Sequence, residues 1–276
     1  MNIIVTGGCG FIGSSICLNL KKNIKNLNIL SIDNLSKKYS KYNEDILKKK
    51  NILNKKIDLG NFEVLNNLKF NADLIIDCSA EPAVEISRQN ISKVIKSNLI
   101  STLNILELAV KKKSKIIFLS SSRVYPIKKS YEIFNKKRKK LYGENTNIIG
   151  PKTVYGFTKL SSEMLIEEYS YSNNIEYIIN RCGLVYGEGQ YGKVEQGLVS
   201  LWLWKHLNNL NLSYLGFSGN GEQIRDALYI DDLCKLINLQ IKKFKKSKNK
   251  IYCVGGGVKN KFSLSRLTSI CQKITK

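Results

Sequence analysis

The chain has 276 residues, 43% of them hydrophobic, and carries 45 Lys and Arg against 22 Asp and Glu, for a formal net charge of +23. The basic residues are scattered in short runs, so we expect no nucleic-acid partner. The single histidine, His206, argues against a metal site built on histidines, and its place in a predicted helix favours a structural role over one in a Ser-His-Asp triad. No apolar run is long enough to cross a membrane, and the first strand leaves no room for a signal peptide. The seven cysteines contain no CxxC pair. Together these observations favour a cytoplasmic protein with reduced thiols and no membrane contact.

The first unit of the chain is NIIVTGGCGFIG, residues 2–13. An apolar strand leads into a turn with the spacing GxxGxxG, from Gly7, Gly10 and Gly13, and a helical pattern begins at Phe11. Glycines let the backbone turn tightly, and the amides at the helix start can face an anion. The glycines alone would fit an ordinary turn, but their place between strand and helix predicts a dinucleotide phosphate site.

The second strand, residues 28–32, ends in Asp33, about twenty residues after the last glycine. An acid there accepts the hydroxyls of an adenosine ribose and repels a 2′-phosphate, which predicts NAD rather than NADP. A polar loop is expected at 34–51. A short strand around Ile57 then ends at Asp58, which either binds the adenine edge or caps the next helix.

Short apolar strands alternate with helical patterns, which predicts a parallel sheet with crossover helices. After the strand 74–77, the small residue Ser79 lets a cofactor pass close to the sheet, or serves ordinary turn packing. The helix predicted at 94–110 carries Asn98, a polar residue in an apolar pattern, whose role is structural or cofactor-positioning. A strand at 116–119 follows.

The remaining sequence continues this alternation. A lysine-rich connection at 123–150 has no apolar period, and a loop of this length is typical of a functional or mobile segment. The later elements are, in chain order, a helix at 153–169, a strand at 177–179, a helix at 198–207, a strand at 212–215, a helix opening at Asp231, a strand at 251–254 and a helix at 264–274 capped by Ser263.

The motif YGFTK, from Tyr155 to Lys159, is the catalytic candidate. Both side chains lie on one helix face, and a nearby ammonium is expected to lower the pKa of the phenol toward neutrality. Tyr155 is then a plausible acid/base for a sugar hydroxyl, and Ser121, at the end of the preceding strand, could bond to the same hydroxyl. A YxxxK pair alone is common, but its place downstream of the glycine turn makes it specific.

The chain resembles the extended short-chain dehydrogenase/reductase family, the NAD-dependent epimerases and dehydratases of nucleotide sugars, in motifs that span nearly its whole length: TGGCGFIG, SAEPAV, SSSRVY, YGFTK, RCGLVYG and IRDALYIDDL. The resemblance implies an α/β fold, a Rossmann-type doubly wound parallel sheet with a small interleaved C-terminal lobe. It implies an NAD-binding domain with the catalytic residues over 1–180 and a mainly substrate-binding lobe over 181–276.

The same resemblance assigns roles to individual positions. The catalytic residues are Ser121, Tyr155 and Lys159. The positions that line NAD are Gly7, Gly10, Phe11, Ile12, Asp33, Asn34, Asp58, Leu59, Ser79, Asn98, Tyr155 and Lys159. The substrate-binding candidates are Ser121, Tyr155, Gln196 and Arg225; Arg225 suits a substrate diphosphate or, alternatively, a salt bridge to Asp226 or Asp232. No metal site is expected.

Within the family, the stretches YGKVEQGLVSLW, FSGNGEQIRD and VGGGVKNKFSLSRL are similar to a branch that inverts C2 of a CDP-hexose, with a tightly held NAD that takes a hydride and returns it to the other face. Ser122-Arg123 stands where the dehydratases carry an acidic pair, which argues against dehydration. A UDP-hexose 4-epimerase, or another nucleotide-sugar modifier, is the nearest alternative, and a non-catalytic NAD-binding protein is the second.

Two further expectations come from the resemblance. The chain stops at Lys276, earlier than the family does, so the usual C-terminal substrate segment is expected to be missing, which leaves activity open. A homodimer is expected through the helices at 94–110 and 153–169.

Overall fold

The main sheet has seven parallel strands in the order β3-β2-β1-β4-β5-β6-β9. The computed structural model describes residues 1–82, 90–127, 143–191, 197–214 and 219–275. The strands of this sheet are β1 Asn2–Thr6, β2 Asn28–Asp33, β3 Leu53–Lys56, β4 Leu74–Asp77, β5 Lys115–Ser121, β6 Tyr177–Cys182 and β9 Lys250–Val254. The strand order reverses between β1 and β4, and such a reversal opens a ligand crevice at the carboxyl ends of the strands. The predicted doubly wound α/β fold is confirmed.

Helices cover both faces of the sheet because successive side chains of each strand point to opposite faces. Ile3 and Val5 of β1 pack into the cluster formed with α1 and α8, whereas Ile4 packs into the cluster formed with α5 and α6. The helices are α1 Phe11–Asn23, α2 Ser40–Lys49, α3 Phe62–Asn66, α4 Ile91–Ile95, α5 Ser101–Lys112, α6 Val154–Asn173, α7 Leu198–Leu207, α8 Ile230–Lys242, α9 Phe244–Ser247 and α10 Leu264–Thr275.

A smaller sheet is built from the later part of the chain. Its strands are β7 Leu184–Tyr186, β8 Ile224–Tyr229 and β10 Lys261–Ser263, in the order β10-β8-β7. A separate core of α7 and α10 lies beside it, where the Trp202 indole donates a hydrogen bond to Thr268 at 3.0 Å. Because β9 pairs with β6 and α8 packs on α1, residues after 181 also complete the main domain. The division at 180/181 stays a prediction.

Four predicted elements differ from the structure. The segment 34–51, expected to be a loop, contains the helix α2. The buried face of this helix includes a polar residue, so no apolar period indicates it: Asn43 is buried and donates a hydrogen bond to the Cys9 carbonyl at 2.9 Å. The strand expected to end at Asp58 ends at Lys56. Residues 211–214 do not form the expected strand, because Tyr214 instead stacks on Trp202, and the strand at β8 was not anticipated. The helix expected at 94–110 is interrupted by a π-helical turn, Lys96–Ile100.

The seven cysteines are free, and five of them are buried. Burial raises the pKa of Cys182 and of Cys234 from 9.0 to about 12. The folded protein therefore keeps thiol protons that the unfolded chain releases near pH 9, so the stabilisation is complete below pH 9 and is lost as pH rises toward 12.

We therefore expect the free energy of unfolding to fall above pH 9, by up to about 1.4 kcal/mol per pH unit for each such thiol. Urea unfolding at pH 8 and pH 10 measures the slope. Cys234→Ala removes one of these thiols and should make the slope shallower; an identical slope in this variant and the parent protein would show that the thiol is not the cause.

Candidate active site

A cavity of about 520 Å³ lies at the carboxyl ends of the main-sheet strands, a size typical of small-molecule sites. Its wall brings together residues predicted from distant parts of the sequence. These are Gly7, Gly10, Phe11, Ile12, Asp33, Asn34, Asp58, Leu59, Ser79, Ser121, Tyr155 and Lys159.

The glycine turn has the shape that a phosphate site requires. Gly7 has a φ of +62°, and a Cβ added at Gly13 would lie 2.2 Å from the Gly7 carbonyl oxygen, so neither position accepts a side chain without strain. Helix α1 begins after Gly10, which offers no side-chain cap, and its first turn contains no acid. The amides of this turn are therefore open to an anion, and the turn fits the diphosphate of a dinucleotide.

Asp33 lies at the end of β2 with its carboxylate held in the cavity wall. Its two oxygens accept hydrogen bonds from the backbone amides of Cys9, at 3.1 Å, and Leu35, at 2.8 Å. Burial raises the pKa of Asp33, and the two amides oppose this rise. The carboxylate is therefore oriented from both sides and suits the ribose hydroxyls expected for NAD.

We expect Asp33→Asn to lose the charge that repels a 2′-phosphate; its amide oxygen can still accept one of the two backbone hydrogen bonds, and its NH2 group cannot accept the other. The ratio of NAD to NADP affinity should then fall by at least about tenfold, because a like charge facing the phosphate is removed. Calorimetric titration with each nucleotide measures the ratio. Asp45→Asn, on the exposed face of α2, is the matched control; an unchanged ratio in Asp33→Asn would contradict this role.

Two loop residues complete the cofactor side. Asp58 accepts a hydrogen bond from the Gly60 amide at 2.9 Å, while α3 is capped by Asn61, so the alternative of Asp58 as the helix cap is wrong. Ser79 donates to Asp77 at 2.6 Å, and Asp77 also accepts from Thr6 at 2.7 Å. The buried Asp77 therefore ties the loop after β4 to β1, a function that the sequence reading had missed.

Asn98 does not lie in the cavity wall. It is buried in the π-helical turn, accepts a hydrogen bond from the Glu81 amide at 2.7 Å, and donates to the Glu81 carbonyl at 3.4 Å and to Thr158 at 3.0 Å. The π turn directs this side chain toward the loop after β4, and π turns are frequent at functional sites. The geometry fits both predicted roles, structural and cofactor-positioning, and the place of Asn98 among the NAD-lining residues stays a prediction.

Helix α6 brings Tyr155 and Lys159 to the cavity. Thr153 caps it by accepting from the Gly156 amide at 3.1 Å, and a Cβ added at Gly156 would lie 2.1 Å from the Arg123 carbonyl oxygen. The helix start therefore packs directly on the turn that follows β5. This contact places Tyr155 in the same cavity wall as Ser121, which acts to lower the pKa of the Tyr155 phenol.

The Lys159 ammonium makes its hydrogen bonds to backbone carbonyls, whereas the sequence predicted that it acts on the Tyr155 phenol. The ammonium is buried and donates to the backbone carbonyls of Ser79, at 3.2 Å, and Leu119, at 3.0 Å. Burial raises the pKa of Tyr155 to about 12, while Ser121 and the positive charge of Arg123 act to lower it. The pKa of Tyr155 is therefore raised in this structure rather than shifted toward neutrality, because burial outweighs the groups that lower it.

The substrate side is only partly described. Gln196 lies outside the described residues. Arg225 lies on β8, outside the cavity wall, and its guanidinium donates to the Ile224 carbonyl at 2.8 Å. The substrate contacts of both residues stay predictions.

A buried ion pair behind the catalytic strand was also missed. Arg181 donates to both carboxylate oxygens of Glu163, at 2.7 to 3.1 Å, and Ser120, next to Ser121, donates to the same carboxylate. A signal was present, since Glu163 follows Lys159 by one helical turn and must share its face.

Residues 3–255 match the model of the NAD dependent epimerase/dehydratase family. The chain belongs to this family. NAD is therefore its cofactor, and the glycine turn and Asp33 fit it. In the described part of the chain, no helix is long and apolar enough to span a membrane.

The individual relatives of this chain are named for different reactions. A Methanocaldococcus jannaschii protein, provisionally named UDP-glucose 4-epimerase, is 32% identical over 92% of this chain and 77% of its own length. CDP-paratose 2-epimerase of Salmonella typhi is 25% identical over 99% of the chain and 84% of its own. The crystal structure of UDP-glucose 4-epimerase from Thermotoga maritima with UDP-glucose superposes with a TM-score of 0.84 at 26% identity, covering 100% of this chain and 82% of that one. Dehydratases are also among the relatives, so family membership selects a nucleotide-sugar modifier but not its reaction.

Proposed function

We propose that the chain is a nucleotide-sugar epimerase, similar to CDP-paratose 2-epimerase, that inverts a carbon by transient oxidation to a keto-sugar. The observation that carries the proposal is that Ser121, Tyr155 and Lys159 line one cavity together with the glycine turn. Ser122-Arg123, in place of an acidic pair, supports epimerisation over dehydration.

The side chains of this site perform the proton transfer. NAD, when bound, accepts a hydride from the sugar and returns it. Because its pKa is raised to about 12, Tyr155 holds its proton on the phenolic oxygen at neutral pH and can donate it to a keto-sugar oxygen. The oxidation that precedes this donation needs the phenolate, which accepts the proton of the sugar hydroxyl; Ser121 and the Arg123 charge act to lower the pKa of Tyr155 toward this form. Lys159 holds the ends of β5 and the β4 loop in register with Tyr155.

For the substrate we propose a CDP-hexose inverted at C2. Support comes from the stretches YGKVEQGLVSLW and FSGNGEQIRD, and from a relative of this activity that matches 99% of the chain. A UDP-hexose 4-epimerase is the second candidate, supported by the Thermotoga maritima enzyme at 26% identity. Ser121, Tyr155 and Lys159 serve either carbon equally.

Proton NMR of the protein with CDP-, UDP-, dTDP- and GDP-hexoses in heavy water tests the proposal. We expect a new diastereomer of a CDP-hexose without solvent deuterium at carbon and without NADH build-up. A deoxy-keto product carrying deuterium would establish a dehydratase instead, and inversion of a UDP-hexose at C4 would establish the second candidate. NAD binding without turnover of any sugar would favour the non-catalytic alternative.

We also propose a homodimer through α5 and α6, which pack side by side. Phe157, Met164 and Tyr171 are exposed on α6 at heptad spacing, which places them on one stripe of the helix. We expect Met164→Glu to shift the protein from dimer to monomer in light scattering coupled to size exclusion. A monomeric parent protein, or a dimer that tolerates this charge, would contradict the interface.

A further inference from the structure

The segment 34–39, between β2 and α2, is fastened at two points across the cavity. Lys37 Nζ lies 2.7 and 2.6 Å from the two carboxylate oxygens of Glu81. The Tyr39 ring stacks on Tyr191, with centroids 3.8 Å apart and planes at 10°. All four residues line the cavity, and neither fastening follows from any motif of the sequence.

The ion pair crosses the sheet at the glycine turn. Lys37 follows the end of β2 by a few residues, and Glu81 follows the end of β4. In the sheet, β1 lies between these two strands, and its carboxyl end continues into the glycine turn. The pair therefore joins the two loops that flank the expected position of the cofactor diphosphate.

Glu81 is more buried than Lys37, and hydrogen bonds hold its backbone in place. The Glu81 side chain is 6% exposed, whereas that of Lys37 is 39% exposed, so Lys37 is the outer partner. The Glu81 backbone is held by Asn98, which also donates to Thr158 on the catalytic helix. Glu81 is thus held rigidly in place. When the ion pair breaks, the loop that carries Lys37 is the part that moves away.

We propose that the Lys37–Glu81 pair and the Tyr39–Tyr191 stack form a clasp that retains the dinucleotide in the cleft, with Glu81 as the residue that positions Lys37. The inference rests on NAD as the cofactor and deepens the proposed function, because a hydride that returns to the same sugar requires a cofactor that stays bound. The clasp must open for the cofactor to enter as well as to leave.

Because a clasp must open for both entry and exit of the cofactor, its effect on the binding rates differs from that of a lysine that contacts a phosphate directly. Weakening a clasp speeds both association and dissociation and leaves the equilibrium affinity nearly unchanged. Removing a lysine that only contacts a phosphate speeds dissociation and weakens the affinity by the same factor. In that case Glu81→Gln, which removes a competing acceptor, would slow dissociation instead.

Stopped-flow fluorescence with NADH as the probe, displaced by excess NAD, tests the clasp in the whole protein. For Lys37→Met and for Glu81→Gln we expect both rate constants to rise about tenfold, with no further rise in the double variant because the two residues act as one unit. Tyr191→Leu should raise both rates in the same way. Lys41→Met, which breaks the exposed pair of Lys41 with Glu44 outside the cavity wall, is the matched control and should leave both rates unchanged.

Rates within twofold of the parent protein in both single variants, or additive effects in the double variant, would overturn the clasp. So would a weaker NADH affinity in Lys37→Met with an unchanged association rate. Glu81→Gln leaves the Asn98 bonds in place, because these bonds are to backbone atoms, and thermal unfolding of each variant verifies the fold. The measurement uses no sugar, so a failure of the proposed epimerase activity would leave its result standing.

Discussion

Tyr155→Phe is expected to lower kcat by about a thousandfold, the typical contribution of a positioned acid/base. The change removes only the phenolic oxygen of a residue that lines the cavity with Ser121 and Lys159. The helix and its packing on the turn after β5 remain. NAD affinity should change little, so the loss appears in the chemical step rather than in cofactor binding. Steady-state kinetics with the substrate identified by NMR, together with NADH titration, measures both quantities.

Tyr171→Phe, on the same helix but outside the cavity wall, is the matched control; it keeps the ring that the proposed dimer stripe uses and should retain full activity. Ser121→Ala should lower kcat less than Tyr155→Phe, because Ser121 supports the proton transfer without carrying the proton. Turnover of Tyr155→Phe within tenfold of the parent enzyme would show that another group moves the proton.

Arg181→Met is expected to destabilise the fold strongly. Arg181 is 5% exposed and its partner Glu163 is 1% exposed, and the guanidinium makes hydrogen bonds to both carboxylate oxygens. The variant leaves a buried carboxylate without its cation, which costs about 3 to 5 kcal/mol and lowers Tm by roughly 6 to 20 °C for a chain of this size. Chemical and thermal unfolding followed by circular dichroism measure the loss.

Lys235→Met is the control for this pair. Lys235 lies 3.0 Å from Asp232, but both side chains are at least 60% exposed, so its loss should cost no more than about 1 kcal/mol. The double variant Glu163→Met/Arg181→Met should recover much of the stability, because it removes the unpaired charge together with its partner. A loss below about 1 kcal/mol in Arg181→Met would show that water or another cation compensates Glu163.

Much of the fold could be predicted because its signals are local. The glycine turn, the strand ending in Asp33 and the YGFTK helix each occupy a short stretch in which residue type and spacing carry the meaning. The helix α2 was missed because its buried positions include a polar residue, Asn43, whose partner is the distant Cys9 carbonyl. The strand β8 was missed because its antiparallel partner β10 follows much later in the chain.

The sequence by itself determined the α/β order, the dinucleotide turn, the NAD preference expected from Asp33 and the identity of the catalytic candidates. Only the tertiary structure decided the direction of the Tyr155 pKa, the hydrogen-bond partners of Asn98 and the ion pair between Lys37 and Glu81. The physical reason is the range of the interactions. A turn or a helix face depends on neighbours in the chain, whereas desolvation and ion pairing depend on which distant residues the folded sheet brings into contact.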